Sequence, residues 1–119
     1  MSAAYQAVEM DQGQALDLVV DVTDDDGNAV DITGATITWR LARSKWSTTV
    51  LLTKDSAAGG SPSEVSLDPT DSNRFRVHLA PGDTADKAGD YWHEGRVIDA
   101  DGRPTFVVVG NLYVRPTLG

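Results

Sequence analysis

The sequence contains no cysteine, and this absence removes several kinds of chemistry at once. Without thiols the chain forms no disulfide bond, carries no thiolate nucleophile and offers no cysteine ligand to zinc. Disulfides belong to oxidising compartments, so a chain without cysteine fits a protein kept in a reducing cytoplasm, or a particle assembled there. We therefore expect a single hydrophobic core to stabilise the fold without covalent crosslinks.

Long apolar runs are also missing. The longest is Phe106 to Val109, far below the ~20 residues that a membrane-spanning helix needs. The first ten residues contain no basic side chain and no apolar stretch, so they do not resemble a secretory signal peptide. These features predict a soluble protein that makes no membrane contact.

Positive charge is scarce. The chain has 10 lysine and arginine residues against 18 aspartate and glutamate residues, and its net charge is −8. Because an acidic surface repels the phosphate backbone, nucleic acid is not an expected partner. Arg40, Arg43 and Lys45 form a weak basic cluster. We interpret this cluster as a solvated strand edge, with a phosphate site as the less favoured alternative.

What the sequence does contain is an alternation of apolar and polar residues with a period of two. Residues 16–22 and 35–41 each place most of their apolar side chains on one face, as a half-buried strand does. The alternation recurs at 74–79, 90–98 and 105–115, with turn signals between the segments. This pattern predicts one domain spanning residues 1–119, an all-β sandwich of about seven to nine strands.

Three shorter segments predict irregular structure. The glycine-rich stretch Ser56–Ser63 indicates an exposed loop. The stretch Pro81–Gly89 predicts one helical turn with Asp83 as its cap. Gly110, inside the last predicted strand, marks either a β-bulge or a close approach of another backbone segment.

Two aromatic residues indicate which kind of sandwich the pattern favours. Trp39 lies in the middle of its strand signal, where immunoglobulin-like domains commonly bury a tryptophan. Tyr91 opens the penultimate strand and resembles the tyrosine corner of those domains. The antibody-type cysteines are absent, and His93 stands where the second would be. We therefore predict an immunoglobulin-like antiparallel β-sandwich with Trp39 and Tyr91 in its core.

Several turn and strand motifs carry a narrower resemblance over most of the chain. They are Gln12-Gly13 before an alternating strand, Asp26–Thr36 after it, Pro81–Thr84 before Gly89–Tyr91, Asp99–Gly102 at the last hairpin, and Gly110–Leu112 in the final strand. Together they resemble the immunoglobulin-like domains of tailed-bacteriophage virion proteins. The best-known examples are the N-terminal domains of baseplate upper proteins.

This resemblance implies a structural role in a virion that is assembled in the cytoplasm of a host bacterium. The protein would be present in multiple copies or as a homo-oligomer, and would dock onto tail, neck, baseplate or head proteins. Docking would use its loops and an exposed strand edge. Met1–Tyr5 and Ser56–Ser63 would become ordered on assembly, and the acidic surface would suit a basic partner.

No group of residues predicts catalysis or metal binding. The acidic turn at Asp24 has the glycine of a calcium loop, but Val22 and Thr33 occupy positions that need an acidic ligand. Neither histidine has the sequence context that presents a nucleophile. We interpret His78 as a surface residue and His93 as a hydrogen-bonded, partly buried one. We predict no catalytic, cofactor-binding or metal-binding residue, and therefore no enzyme.

Aromatic residues outside the predicted core are the remaining functional candidates. Trp46 lies in a polar loop, and Trp92 alternates out of phase with Tyr91. Exposed tryptophan commonly anchors protein interfaces, so Trp46, Trp92, Lys45 and Tyr5 are our candidate interface residues. Packing of the Trp46 loop over the core remains open.

Two other functions remain open. The first is a carbohydrate-binding or adhesive module that uses the exposed tryptophans, which is less favoured than protein contact. The second is a cytoplasmic accessory domain with no viral link.

Overall fold

Nine strands and one short helix are formed by the residues that the computed structural model describes, which are 4–56, 64–99 and 101–118. The elements are β1 (Ala4–Tyr5), β2 (Val8–Asp11), β3 (Leu16–Asp21), β4 (Thr36–Ala42), β5 (Val50–Asp55), β6 (Val65–Leu67), β7 (Arg74–Leu79), α1 (Pro81–Thr84), β8 (Gly89–Ile98) and β9 (Pro104–Arg115). No helix among these residues is long and apolar enough to span a membrane. The predicted loop Ser56–Ser63 lies outside the described residues from position 57 onward.

The strands form two sheets that enclose one core. The larger sheet has the order β1–β9–β8–β4–β5, with β2 also paired to β9, and the smaller sheet has the order β3–β7–β6. Every described pairing is antiparallel, except that β1 and β2 run parallel to β9. The predicted all-β sandwich is thereby confirmed, and β7 has the bounds that the alternation indicates.

The N-terminal segment differs from the prediction. The sequence predicts that Met1–Tyr5 becomes ordered on assembly; within this segment Ala4 and Tyr5 pair with Val108 and Val109 in the single chain, and residues 1–3 lie outside the described residues. The next strand, Val8–Asp11, is also absent from the sequence prediction. Both strands are too short for their alternation to be recognised in the sequence, and their order comes from pairing with β9.

The helical turn is shorter than predicted. It ends at Thr84 rather than near Gly89. Its N-cap is Ala80 rather than the predicted Asp83, which lies at the third helical position and whose carboxylate accepts a hydrogen bond from the Ala80 backbone N–H at 2.7 Å. The same carboxylate forms an ion pair of 2.8 Å with Lys54, whose side chain is nearly buried beside the core. Asp83 therefore joins the helix to β5.

Trp39, Phe75 and Tyr91 lie in the core between the two sheets. Trp39 and Phe75 have no exposed surface, and only 4% of Tyr91 is exposed. The Tyr91 hydroxyl reaches back to the Ala88 carbonyl at 3.5 Å. This contact has the direction of a tyrosine corner, but its length makes it a weak hydrogen bond.

A chain of hydrogen bonds runs from the core to the edge strand β3 of the smaller sheet, near the position where antibody domains carry their inter-sheet disulfide. Trp39 Nε1 donates to His93 Nδ1 at 3.1 Å, and His93 Nε2 donates to the Gln6 carbonyl at 2.7 Å. The Gln6 side chain then donates to the Val19 carbonyl of the smaller sheet at 3.1 Å. We call this Trp39–His93–Gln6–Val19 chain the inter-sheet bridge. It fixes His93 as the neutral tautomer with its proton on Nε2.

Gly110 makes the approach of Gln6 possible. It pairs with His93 across the sheet, and a Cβ atom at this position would lie 2.2 Å from the Gln6 carbonyl oxygen. Of the two predicted roles, the close backbone approach is therefore confirmed. β9 does contain a bulge, but at Val107. The consecutive β8 residues Gly95 and Arg96 pair with Val108 and Phe106, so Val107 is the extra residue on β9.

His93 is fully buried, beyond the partial burial that the sequence indicates. Burial lowers the pKa of His93 below its ordinary value because the charged imidazolium loses its hydration. The Gln6 carbonyl and the Glu94 carboxylate act in the opposite direction and only partly offset this effect. Protonation would also place an N–H on Nδ1 facing the N–H of Trp39, so the bridge needs the neutral ring.

We expect Gly110→Ala to lower the free energy of unfolding by about 2–3 kcal/mol, because the added methyl group would overlap the Gln6 carbonyl. Urea unfolding followed by tryptophan fluorescence measures this loss. Gly82→Ala is the matched control, since a methyl group there meets nothing within 4 Å, and we expect a change below about 0.5 kcal/mol. Equal stability of the two variants would contradict the close approach.

Stability should also fall with acidification in a window set by His93. In the unfolded chain this side chain takes up a proton below about pH 6.5, whereas the folded chain resists protonation until a lower pH. The contribution of the neutral His93 ring to the free energy of unfolding is therefore complete above about pH 6.5. It is lost progressively as the pH falls from there toward the pKa of His93 in the folded chain.

His93→Gln isolates this effect, because an amide donates and accepts hydrogen bonds but does not titrate. Between about pH 7.5 and about pH 5.5 we expect the parent chain to lose on the order of 1 kcal/mol more than the variant. Urea unfolding at several pH values measures the difference. Parallel curves for the two proteins would show that His93 is protonated as easily in the folded state as in the unfolded state.

Candidate interaction site

The aromatic residues divide between the core and a single outer surface. Three are buried, as described above, and the other five lie on the outer face of the larger sheet or in the loop that follows β4. These five are Tyr5, Trp46, Trp92, Phe106 and Tyr113. We call this surface the aromatic face. Its strand positions follow from alternation, since the neighbours of Trp92 on either side, Tyr91 and His93, point into the core.

The outer face of the smaller sheet is different in character. It carries ion pairs between neighbouring strands and loops, including Arg74 with Asp21 at 2.7 Å and Arg76 with Asp68. Backbone N–H groups of Asp71 and Thr70, together with Arg76, lower the pKa of the Asp68 carboxyl. Exposed ion pairs of this kind remain hydrated and leave few charged groups without a partner. We therefore interpret the outer face of the smaller sheet as a solvent-facing surface.

The lysine and arginine side chains that form no ion pair with a described residue are also concentrated on one side of the molecule. Six of the ten lysine and arginine side chains form ion pairs with carboxylates. The remaining four, Arg40, Arg43, Lys45 and Arg96, form no ion pair with any described residue, and all lie on the aromatic face or at its rim. Within the described part of the chain, the buried Nε atom of Arg96 also has no hydrogen-bond partner. The cations that have no ion pair among the described residues therefore share one surface with Glu94 and Asp90, and one of them, Arg43, lies 5.1 Å from the centre of the Tyr91 ring.

A groove of about 500 Å³ lies at one end of the aromatic face. The four candidate interface residues predicted from the sequence all line it: Tyr5, Lys45, Trp46 and Trp92. They come from β1, β8 and the loop after β4. The fold therefore brings together residues that are far apart in the sequence.

Two of the groove's side chains are held in place by neighbours. The Tyr5 and Trp92 rings lie 6.4 Å apart, and the Tyr5 hydroxyl accepts a hydrogen bond from Asn111 at 2.9 Å. The Trp92 Nε1 donates to Glu94 at 3.0 Å. These contacts make one wall of the groove a preorganised surface.

Trp46 stands apart from that wall. Its side chain is 83% exposed, so the Trp46 loop does not place this ring over the core. The ammonium group of Lys45 lies 4.9 Å from the centre of the Trp46 ring, within cation–π distance. We call this pair the Trp46–Lys45 knob.

One arrangement with catalytic residue types was not recognised in the sequence. Ser66 Oγ lies 2.8 Å from His78 Nε2, and His78 Nδ1 lies 2.8 Å from Asp17. Catalysis also needs a substrate cleft and oxyanion donors. The three side chains lie on the solvated face of the smaller sheet, and none of them lines the aromatic groove. They act as a cross-strand hydrogen-bond network between β3, β7 and β6.

The acidic turn is satisfied by its own backbone. Asp24 Oδ1 accepts hydrogen bonds from the N–H groups of Asp26 and Asn28, both at 2.9 Å. Such a side chain supports a tight turn. In the described ranges no group of three or more histidine, aspartate or glutamate side chains is placed to hold a metal ion.

The sequence matches no protein-family model, and no curated protein matches it.

Solved structures do match. A crystal structure of a chicken T-cell receptor (TCR) aligns over 95% of this chain with a TM-score of 0.58 and 18% sequence identity. This chain corresponds to 54% of the length of that receptor chain. A likeness at this level of identity shows the fold alone. The fold of this chain is an immunoglobulin-like β-sandwich, as the positions of Trp39 and Tyr91 in the sequence predict.

Proposed function

We propose that this chain is a non-enzymatic binding domain that docks onto other proteins of a tailed-bacteriophage particle through its aromatic face. The observation that supports docking is the distribution of side chains: five aromatic residues and all four unpaired cations share one outer surface. The viral context is supported by the resemblance of the turn and strand motifs, which the structural comparison does not address.

Aromatic and arginine side chains are the types that contribute most to protein interfaces. A fully exposed aromatic side chain buries about 150–250 Å² in a contact, which at ~25 cal/mol per Å² contributes roughly 4–6 kcal/mol before the entropic cost of association. Trp46 is close to this limit at 83% exposure, and the half-exposed Phe106 would contribute about half as much. A sheet face that carries several such residues has enough apolar surface for a specific interface.

The charge of the face indicates the chemistry of its partner. The net charge of −8 favours a basic partner, whereas the four cations of this surface, which also carries Glu94 and Asp90, provide sites for carboxylates of a partner. A partner that fits offers an apolar patch with carboxylates at its edge. Such complementarity speeds association and selects the orientation of the partner.

Carbohydrate binding is a second candidate, supported by the composition of the groove. Trp46 and Trp92 lie in the same groove as Asn111 and Asp90. Aromatic rings stack on sugar faces, and amide and carboxylate groups hydrogen-bond to hydroxyl groups. Glycan-array binding that is saturable and is lost in both Trp46→Ala and Trp92→Ala would favour this candidate over protein docking.

Site-specific photocrosslinking in purified particles tests the docking proposal. A photoreactive phenylalanine analogue replaces Phe106, which is 48% exposed on the aromatic face, or Val19, which is 39% exposed on the smaller sheet. We expect the analogue at position 106 to crosslink to a second particle protein, identified by mass spectrometry. The analogue at position 19, the matched control, should give no such product.

Two results would contradict the proposal in different ways. Absence of the chain from purified particles would remove the viral context. Crosslinks from position 19 and none from position 106 would show that the smaller sheet, rather than the aromatic face, makes the contact.

A further inference from the structure

An apolar pocket opens at the end of the sandwich opposite the aromatic groove. Its volume is about 330 Å³, and its floor is formed by Val22, Ile32, Val97 and Val107. These side chains are nearly or fully buried and belong to both sheets or the loops that follow them. We call this cavity the end pocket. Its size and lining suit one flat apolar side chain.

The rim of the end pocket is negatively charged. Asp31 and Asp99 both lie on it. Hydrogen bonds from Thr33 lower the pKa of Asp31, and the backbone N–H of Arg103 lowers that of Asp99, so both carboxyls are ionised at neutral pH. The Arg103 guanidinium pairs with Asp99 at 3.1 Å. Asp31 has no ion-pair partner among the described residues and is the carboxylate available to a cation.

The Trp46–Lys45 knob has the complementary composition, an exposed ring with an ammonium group beside it. The end pocket reaches Ala35 at the start of β4, whereas the knob follows Ala42 at its end. Seven residues of extended chain separate them by roughly 20 Å. Knob and pocket of one molecule therefore cannot meet, but those of two molecules can.

We propose that the Trp46–Lys45 knob of one copy inserts into the end pocket of a second copy, with Lys45 paired to Asp31. Because the two surfaces differ and lie at opposite ends, this contact is head-to-tail and builds a ring or a filament. The inference uses the same aromatic end as the proposed function, but it names a copy of this chain as the partner there. The remaining aromatic face stays available to other proteins.

Sedimentation velocity of the purified chain over a range of concentrations tests the proposal. The expected result is a sedimentation coefficient that rises with concentration. Trp46→Ala and Asp31→Lys should each weaken association by at least about tenfold. Tyr113→Ala, which removes an aromatic side chain of the same face that lines neither the groove nor the end pocket, is the matched control and should associate like the parent chain.

A mixing experiment separates this contact from non-specific stickiness. Trp46→Ala keeps an intact pocket, and Asp31→Lys keeps an intact knob, so an equimolar mixture should form a dimer that does not grow further. Combining Lys45→Glu with Asp31→Lys in one chain should restore the association that Lys45→Glu alone weakens. Near-ultraviolet circular dichroism confirms that each variant is folded.

Three outcomes would overturn the inference: a parent chain that remains monomeric at all concentrations, an unaffected Trp46→Ala variant, or a mixture that gives no dimer. Crosslinks from position 106 to another particle protein would persist in each of these cases if the proposed function holds. Loss of those crosslinks with intact self-association would instead contradict the proposed function alone.

Discussion

The position of Gln6 is the constraint on which the rest of this structure depends. Its backbone N–H donates to Val109 at 2.8 Å, its carbonyl accepts from His93, and its side chain reaches the smaller sheet. A chain without cysteine thus joins its sheets by hydrogen bonds near the place where related folds use a disulfide. The same residue follows β1 directly, so the inter-sheet bridge also holds Tyr5 against Trp92. Gln6 therefore links the hydrogen bonds of the buried His93 to the position of Tyr5 in the aromatic groove.

Alternation predicts most of the strands because each sheet of this fold has one buried and one exposed face. It does not predict β1 and β2, whose partner strand lies about a hundred residues further along the chain. The bridge could not be predicted either. Trp39 and His93 are 54 positions apart, and His93 and Gln6 are 87 apart. The period of two places Trp39 and His93 on inward faces, but only the register between strands brings their nitrogen atoms together.

The sequence indicates the candidate interface residues one at a time, by local polarity at Trp46 and by strand phase at Trp92. Their meeting in one groove depends on the topology, in which the start of β8 lies next to the loop after β4 and is separated from the N-terminal strand by β9. For a related reason, the sequence does not predict which lysine and arginine side chains have no ion pair among the described residues. Composition gives the net charge, but ion pairs such as Arg115 with Glu9 and Asp11 depend on contacts between distant strands. Only the paired structure reveals which positive charges remain for a partner.

The most direct test of this account is a nitrogen-15 spectrum of the histidine side chains in the folded protein at neutral pH. The inter-sheet bridge predicts that the His93 ring is neutral, with a proton on Nε2 protected from exchange and an unprotonated Nδ1 that accepts from Trp39. A charged ring, or a neutral ring with its proton on Nδ1, would contradict the bridge. In that case Gln6 would not be anchored, and neither the N-terminal strand nor the groove beside it would have the geometry described.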